Sequence, residues 1–235
     1  MKKLDLKKEY RDLYSPSSRK IEIVKVPKLQ FLMLDGQIEP GEAPGTSPEF
    51  ESAMLAMYGM AYTMKFMLKL RPKDPIDYPI MALEGLWWVE NGVFDISIKD
   101  NWVYSLLILT PGAVTSKIFE TARAQVRRKR GDSPALQRIR LGTLTEGMCM
   151  QVMHIGPYAT EPATVDRMRE FAKENGFEDL VGQGGKHHEI YLGDPRKAEP
   201  AKLKTILRHP VHILSGTFTA STDSCLYWIL NNLLL

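Results

Sequence analysis

The pattern of apolar and polar positions in the first half of the chain predicts a strand, a helix and two further strands. Residues 29–38, LQFLMLDGQI, form an almost continuous apolar run that is typical of a buried strand. Ser47 before Pro48 matches a helix N-cap followed by proline in the first turn. The apolar residues after them recur every three or four positions, which predicts a long helix with one apolar face. They are Phe50, Met54, Met57, Tyr58, Ala61, Met64 and Leu68. The runs at 80–90 (IMALEGLWWVE) and 102–110 (WVYSLLILT) predict the two strands.

The second half of the chain repeats this order of elements. Residues 147–156, GMCMQVMHIG, predict a strand. Apolar positions over 165–172 predict a helix that ends at Gly176, because glycine is the commonest residue just past a helix C-terminus. The runs at 187–193 (HHEIYLG) and 202–211 (KLKTILRHPV) predict the last two strands.

The repeat predicts an α+β fold of two tandem, pseudo-symmetric strand–helix–strand–strand modules, at about 29–110 and 147–211, joined by a helix at about 115–130. Each module would be a three-stranded antiparallel sheet with a helix on one face, which is marginally stable alone. Side by side, the modules would form one antiparallel sheet with helices on one face and a ligand groove on the other. We expect a single domain over residues 21–211, preceded by a helical lead-in and linker over residues 1–20.

Residues 212–235 form an atypical apolar tail. Its last stretch, from Cys225 to Leu235, is apolar except for Asn231 and Asn232, and it is too short to span a bilayer as a helix. Two interpretations stay open at this point. The tail docks on the body or on a second subunit, or it is translated readthrough or vector sequence that fold reasoning should exclude.

Charge and composition narrow the classes of partner. The chain carries a net charge of +3, from 31 basic and 28 acidic residues, which is too balanced to indicate nucleic acid or an anionic membrane as a partner. The cysteines, Cys149 and Cys225, are far apart, and the five histidines show no HExxH spacing, so we expect no metal and no other cofactor. The chain shows no signal region at its start and no apolar run of membrane-spanning length, so we expect a reduced, cytoplasmic protein.

Alternation along the strand at 187–193 places a carboxylate at the predicted groove. Successive side chains of a strand point to opposite faces, so Glu189 and Tyr191 share one face while Ile190 and Leu192 share the other. We expect the apolar pair to pack on the helix and Glu189 and Tyr191 to face the groove.

The first module offers a counterpart to this carboxylate. Glu84 shares a face with Trp88, while Trp87 points the other way. We therefore expect Glu84 to correspond to Glu189 and one of the two tryptophans to line the groove. Four more aromatic residues lie at or near the ends of elements and are candidate wall residues. They are Tyr58, Trp102, Tyr104 and Tyr158.

Two chemical roles fit a carboxylate among aromatic rings. The site binds a planar or cationic hydrophobic small molecule through ring area, cation–π attraction and the carboxylate charge. Alternatively, Glu189 acts as a general base, because burial among rings raises the pKa of a carboxyl group towards neutrality. In a plainer interpretation, Glu189 pairs with a surface Arg or Lys and the tryptophans belong to the core.

Three segments together resemble the GyrI-like small-molecule-binding family. They are LEGLWW (83–88), EGMCMQVMHIGPYATEPAT (146–164) and HHEIYLGDPRK (187–197), and the resemblance covers about residues 5–211. It implies the tandem fold described above and places the family's central glutamate at Glu189. LEGLWW resembles the stand-alone branch of the family, whose members are known as cyclopropanoid cyclopropyl hydrolases and open the strained ring of DNA-alkylating cyclopropyl compounds.

That activity suits several of the candidate residues, and we expect the following roles. Trp87 or Trp88 would clamp a flat substrate, Glu189 would take a proton from the attacking water, and Tyr191 or Tyr158 would donate a hydrogen bond to the oxygen where charge develops. A non-catalytic module that binds or sequesters drugs is the alternative. Direct inhibition of DNA gyrase ranks last, because a chain of net charge +3 shows no acidic, DNA-mimicking surface. An exposed apolar tail or edge strand would favour a homodimer.

Overall fold

A computed structural model of the chain describes residues 1–39, 41–42, 47–98 and 101–214. In chain order the elements of the first half are β1 (Lys2–Lys3), α1 (Leu6–Glu9), α2 (Arg11–Tyr14), β2 (Glu22–Val26), β3 (Leu29–Gln37), α3 (Pro48–Lys69), β4 (Ile76–Asp77), β5 (Leu83–Val89) and β6 (Trp102–Leu109). Those that follow are α4 (Ser116–Arg130), α5 (Pro134–Arg138), β7 (Arg140–Leu144), β8 (Gly147–Ile155), a 3-10 turn (Tyr158–Thr160), α6 (Glu161–Glu174), β9 (Phe177–Asp179), β10 (His187–Tyr191), a second 3-10 turn (Pro200–Lys202) and β11 (Lys204–Ile213).

Two three-stranded units form the centre of one large antiparallel sheet. Over the described residues this sheet has nine strands in the order β2-β8-β11-β10-β5-β6-β3-β7, with β9 pairing with the end of β11. Within each unit the last strand in sequence lies in the middle, as β3-β6-β5 in the first unit and β8-β11-β10 in the second. The units meet where β10 pairs with β5. The predicted α+β fold of tandem strand–helix–strand–strand modules is therefore confirmed.

Helix α3 begins where the sequence predicts it. The Ser47 hydroxyl accepts a hydrogen bond from the Phe50 amide at 3.1 Å, and Pro48 occupies the first helical position, where its missing N–H costs nothing. The buried face of α3 includes Met57, Met64 and Leu68. These residues join one core with Trp87 and Leu83 of β5 and with Val165 and Met168 of α6, so α3 and α6 lie on the same face of the sheet.

The N-terminal segment covers the opposite face. Leu6 of α1 and Leu13 and Tyr14 of α2 form a second core with Leu86 of β5 and Ile190 of β10. The prediction that Ile190 packs on the helix of its own module is therefore wrong. The face opposite α3 and α6 is covered by residues of the predicted lead-in, and Glu189 and Tyr191 lie on the face of α3 and α6.

The last strand, β11, continues to Ile213, where His212 pairs with Glu178 and Ile213 with Phe177. The rest of the predicted apolar tail, from residue 215, lies outside the described residues. No helix in the described part of the chain is long and apolar enough to cross a membrane.

Candidate functional site

Glu189 is a buried carboxylate at the centre of the sheet. It lies in β10, opposite Leu207 of β11 and Gly85 of β5, and is only 6% exposed. Its Oε2 accepts a hydrogen bond of 2.6 Å from the Tyr191 hydroxyl, and its Oε1 lies 3.0 Å from His187 Nε2. A buried carboxylate needs such partners, because desolvation without hydrogen bonds is costly. The two contacts fix the orientation of the carboxylate.

A glycine on the neighbouring strand makes room for this arrangement. A Cβ atom on Gly85 would lie 2.7 Å from Trp87 Nε1 and 3.0 Å from the Tyr191 hydroxyl oxygen. Trp87 Nε1 donates a hydrogen bond of 3.0 Å to that same hydroxyl. A glycine inside a strand often marks such a close approach. The glycine of LEGLWW therefore lets the Trp87 indole cross the sheet face and support Tyr191, which in turn holds Glu189.

Two imidazoles extend the hydrogen bonding away from Glu189. His187 Nδ1 lies 2.6 Å from His209 Nε2, and His209 Nδ1 lies 2.7 Å from Asp179 Oδ2. Both histidines are fully buried. Burial lowers the pKa of His187, although its contact with Glu189 acts in the opposite direction. For Asp179, burial alone would raise the pKa of the carboxyl, but the hydrogen bond and charge of His209 lower it overall.

The hydrophobic pattern and the motifs do not predict these groups as site residues. Alternation places His187 on the same face as Glu189, but no pattern in the sequence indicates His209 or Asp179. His209 reaches His187 only through the register of β10 on β11, which pairs His188 with Arg208. Asp179 lies in the short strand β9, which pairs with β11 just beyond that point and which the hydrophobic pattern does not predict. The sequence would bring His187 and His209 together only if the last two strands were aligned as an antiparallel hairpin.

The aromatic residues separate into a buried group and a half-buried group. Trp87 packs on Trp102 and Tyr104, with ring centroids 5.4 and 5.6 Å apart. All three are almost fully buried, so Trp102 and Tyr104 pack against Trp87 within the core and hold its ring in place. Tyr158 and Tyr58 are half-buried.

The half-buried tyrosines lie at the edge of the site. The Tyr158 ring meets the Tyr191 ring edge-on at 5.9 Å, and the Tyr58 hydroxyl lies against the backbone of Leu83, the residue opposite Tyr191. Burial, followed by the charge of Glu189, raises the pKa of Tyr158 to about 12. The same two causes raise the pKa of Tyr191 well above its usual value. Both hydroxyls therefore keep their protons at neutral pH and can donate hydrogen bonds.

Glu84 and Trp88 lie on the other side of the sheet from Glu189. Ile190 is opposite Glu84, whereas Glu189 is opposite Gly85, so the two carboxylates point to opposite faces. The expectation that Glu84 corresponds to Glu189 in one groove is therefore wrong, and Trp87 is the tryptophan beside Glu189. Trp88 is half-buried on the second core, with the Lys186 ammonium 3.2 Å from its ring centroid. Each strand was assigned to a face separately, whereas the relative faces depend on the register between the modules.

Glu84 belongs to a buried ionic network that holds the N-terminal segment on the sheet. Its Oε1 accepts a 2.7 Å hydrogen bond from Tyr14 of α2, and its Oε2 lies 3.0 Å from His188 Nε2. His188 Nδ1 lies 3.0 Å from Glu146, and Arg208 contacts Glu146 at 3.3 Å. Although burial lowers the pKa of His188, the two carboxylates raise it to about 9 overall. Burial raises the pKa of Glu146, but His188 and Arg208 bring it down to about 2. These charges stay buried and paired, which indicates a structural role.

An open groove of about 870 Å³ runs between α3 and α4 and shares Tyr58 with the edge of the site. Its apolar lining includes Leu55, Tyr62 and Phe66, and its rim includes Lys129 and Arg130. Among the described residues that line it, none carries a carboxylate, imidazole or thiol. The described lining of the groove therefore offers no side chain that accepts a proton at neutral pH, whereas Glu189 and His187 are such groups.

The polar groups of the site follow one another in a line. Across the residues that the structure describes, no cluster of three or more His, Cys, Asp or Glu side chains is arranged to hold a metal ion. The arrangement is suited to accepting or passing a proton.

Comparison with known proteins places this geometry in a family. The GyrI-like small molecule binding domain matches residues 19–212. An uncharacterized conserved protein from Listeria innocua has 39% identity and a TM-score of 0.79, over 89% of this chain and 100% of that one. Two structures described as hydrolases from Listeria innocua have 38% and 37% identity, with TM-scores of 0.78 and 0.76, over 90% and 89% of this chain and all of theirs. No curated protein matches the chain. The chain belongs to the GyrI-like family of small-molecule-binding domains.

Proposed function

We propose that this protein is a hydrolase that adds water to the strained ring of cyclopropanoid DNA-alkylating xenobiotics, with Glu189 as the general base. The observation that carries the proposal is the position of Glu189, a carboxylate 6% exposed at the centre of the sheet, oriented by Tyr191 and His187 and bordered by half-buried tyrosines. A general base needs a fixed orientation towards the proton that it removes.

The similarity to hydrolases supports catalysis over binding alone. The two Listeria innocua structures described as hydrolases are 37% and 38% identical to this chain and are covered over their full length. We extend the same kind of activity to this chain. The choice of cyclopropanoid substrate follows from the resemblance of LEGLWW, at 83–88, to the stand-alone branch of the family.

In the proposed reaction, the water oxygen forms a bond to a ring carbon while one carbon–carbon bond of the three-membered ring breaks. The electron pair of that bond moves onto a conjugated carbonyl oxygen of the substrate, and Glu189 accepts the proton that the water loses. Relief of ring strain drives much of the change, so the protein has to supply orientation and a proton acceptor. The oxyanion then takes up a proton and Glu189 releases the one that it accepted, so the product is the substrate plus one water.

The tyrosines take different roles in this proposal. The Tyr191 hydroxyl donates its hydrogen to Glu189 and accepts one from Trp87, so we assign it to positioning the base. Tyr158 lies beside Tyr191 and stays protonated, so we assign it to donate a hydrogen bond to the substrate oxygen where negative charge develops. The half-buried rings of Tyr58 and Tyr158 give a planar hydrophobic substrate a surface to pack on.

The test is incubation of the purified protein with a cyclopropane-containing DNA alkylator, followed by mass spectrometry. We expect the compound to gain one water with the wild type and with Glu174→Gln, a matched change at an exposed glutamate in the last turn of α6. We expect Glu189→Gln to form product at least 100-fold more slowly, within the range that general bases contribute, about 10²–10⁴-fold. Full activity in Glu189→Gln would contradict the role of the base. An unchanged compound that still quenches tryptophan fluorescence would indicate the sequestering module instead.

A further inference from the structure

A continuous line of hydrogen bonds connects Glu189 to a second carboxylate near the surface. From Glu189 Oε1 the contacts run to His187 at 3.0 Å, from His187 to His209 at 2.6 Å, and from His209 to Asp179 Oδ2 at 2.7 Å. The histidines are fully buried, whereas the Asp179 side chain is 14% exposed. The line therefore joins the centre of the sheet to its periphery.

The number of protons in this line follows from its geometry. The line contains two N···O contacts and one N···N contact. Each of them needs one hydrogen to be a hydrogen bond, so three hydrogens are required. Two neutral imidazoles carry one N–H each, and carboxylates carry none. The third hydrogen must be an extra proton, which lies either on an imidazole or on a carboxyl group. The line therefore binds one proton more than its groups would carry as neutral imidazoles and free carboxylates.

We propose that Asp179 and His209 are positioning residues that act through His187 to control the proton on Glu189. The inference rests on the proposed role of Glu189 as a base. The lowered pKa of Asp179 favours its ionised form, and with Asp179 ionised the three protons have two arrangements. In the first, Glu189 is ionised and accepts from His187 Nε2–H, and the imidazole pair carries one positive charge next to Asp179. In the second, Glu189 is protonated and both imidazoles are neutral, with His209 Nδ1–H donating to Asp179.

The two arrangements interconvert without exchange of protons with solvent. The hydrogen between the imidazoles moves from His209 Nε2 to His187 Nδ1, and the hydrogen between His187 and Glu189 moves from nitrogen to oxygen. No other bond changes, and the total charge stays the same. The negative charge of Asp179 stabilises the imidazolium of the first arrangement, in which Glu189 can act as a base.

Other titratable groups also face this line and have to be held constant in a test. Tyr191 on β10, Tyr158 on the 3-10 turn and His154 on β8 interact with the Glu189 charge. Glu161 at the start of α6 interacts with both tyrosines, and Arg169 of α6 interacts with Asp179. His188, the next residue on β10, interacts with His187. Substitution at the far end of the line leaves all of these in place, which makes Asp179 the most informative position.

In Asp179→Asn, we expect every hydrogen bond of the line to donate in the same direction, towards Glu189. Asp179 Oδ1 accepts a 3.0 Å hydrogen bond from the Val181 amide, so the asparagine oxygen keeps that position and its amide nitrogen faces His209. The amide then donates to His209 Nδ1, His209 Nε2–H donates to His187, and His187 Nε2–H donates to Glu189. Every contact is made with neutral imidazoles and an ionised Glu189. Because a fixed donor favours the ionised carboxylate, Glu189 becomes a weaker base.

The experiment compares the pH dependence of kcat/KM in the wild type, Asp179→Asn and Glu178→Gln. Glu178 is the preceding acidic residue on β9 and lies outside the line, so its variant is the control for loss of charge. We expect Asp179→Asn to move the acidic midpoint down by roughly one pH unit, a tenfold change in the ionisation equilibrium, with a lower plateau. His209→Gln is the second variant and is expected to move the midpoint in the same direction. A merely structural role would lower the plateau and leave the midpoint in place.

A second readout does not depend on catalysis. Long-range proton–nitrogen NMR spectra report the chemical shifts of the His187 ring nitrogens. We expect these shifts to change in Asp179→Asn, although residue 179 does not contact His187. We expect them to stay the same in Glu178→Gln. If Asp179→Asn leaves both the acidic midpoint of kcat/KM and the chemical shifts of the His187 nitrogens unchanged, the inference is overturned. If the wild type does not hydrolyse the compound, the proposed function fails, and the nitrogen signals alone decide whether the line couples Asp179 to His187.

Discussion

Replacing Tyr14 by phenylalanine tests whether the N-terminal segment is held by a buried ionic network. The Tyr14 hydroxyl donates a 2.7 Å hydrogen bond to Glu84 Oε1, while His188 contacts the other oxygen of the same carboxylate. Tyr14 is 1% exposed, and Glu84 and His188 are fully buried. Phenylalanine keeps the ring in the second core but leaves Glu84 Oε1 without the donor that it has in the wild type.

The expected loss follows from the charge on the acceptor. A hydrogen bond to a charged group contributes about 1.5–3 kcal/mol to stability. A buried acceptor that loses its donor also carries an uncompensated desolvation cost. We therefore expect the free energy of unfolding of Tyr14→Phe to fall by about 2 kcal/mol. For a chain of this size, in which 1 kcal/mol corresponds to about 2–4 °C, the Tm falls by roughly 4–8 °C.

Denaturant unfolding followed by tryptophan fluorescence measures this loss, with Tyr62→Phe as the matched control. Tyr62 is 50% exposed on α3, so its hydroxyl is expected to contribute less than about 0.5 kcal/mol. Hydrolysis per folded molecule is expected to be unchanged in both variants, because Tyr14 contacts the face opposite Glu189. A loss below about 0.5 kcal/mol in Tyr14→Phe would refute the reasoning, since it would mean that Glu84 does not depend on this hydroxyl.

Two further predictions concern the strand that joins the modules and the network beneath it. Gly85→Ala is expected to reduce kcat/KM about 100-fold, because its Cβ would lie 2.7 Å from Trp87 Nε1 and displace the indole from Tyr191; an unchanged kcat/KM in steady-state assays would contradict this. The stability that His188 contributes is expected to be complete below pH 6.5 and to disappear as the pH rises through about 9, because its pKa is raised on folding. The contribution of Glu146, whose pKa is lowered to about 2, is expected above pH 4.5 and disappears as the pH falls. Unfolding free energies of wild type, His188→Gln and Glu146→Gln across this range measure the two contributions. A difference between wild type and His188→Gln that stays constant above pH 6.5 would contradict the role of His188.

The hydrophobic pattern was sufficient to predict the modules because their elements are locally consistent. The predicted helix start at Ser47-Pro48 and the predicted strands at 29–38 and 102–110 agree with α3, β3 and β6 within about a residue. The strands β2 and β7 at the edges of the sheet were not predicted, since Glu22–Val26 and Arg140–Leu144 are short and half polar. Local periodicity therefore identifies the central elements and misses those whose pairing depends on neighbours.

The relative orientation of the site residues needed information that no single strand contains. Alternation correctly placed Glu189 and Tyr191 on one face, but the assumption that apolar residues face the helices failed at Ile190. That residue belongs to the same core as Leu13 and Tyr14, which are distant in sequence. Because both faces of the central strands are buried, an apolar side chain does not identify the face of the helix.

The register between the modules decided the rest. Pairing of Glu189 with Gly85 separates Glu84 from the site and brings Trp87 to it, and pairing of β9 with β11 adds Asp179. A shift of one residue would have exchanged the two tryptophans, which shows why alternation alone could not choose between them.

The role of Glu189 as a base is tested most directly by a single turnover in water labelled with oxygen-18. Excess protein is mixed with the cyclopropane-containing compound, and the mass of the product is measured. If Glu189 activates a water, the oxygen gained by the product comes from the solvent, so all of the first-turnover product carries the label, and Glu189→Gln forms none on the same timescale. Unlabelled product in the first turnover would mean that the Glu189 carboxylate itself attacks the ring. Labelled product from Glu189→Gln at the wild-type rate would mean that another group activates the water.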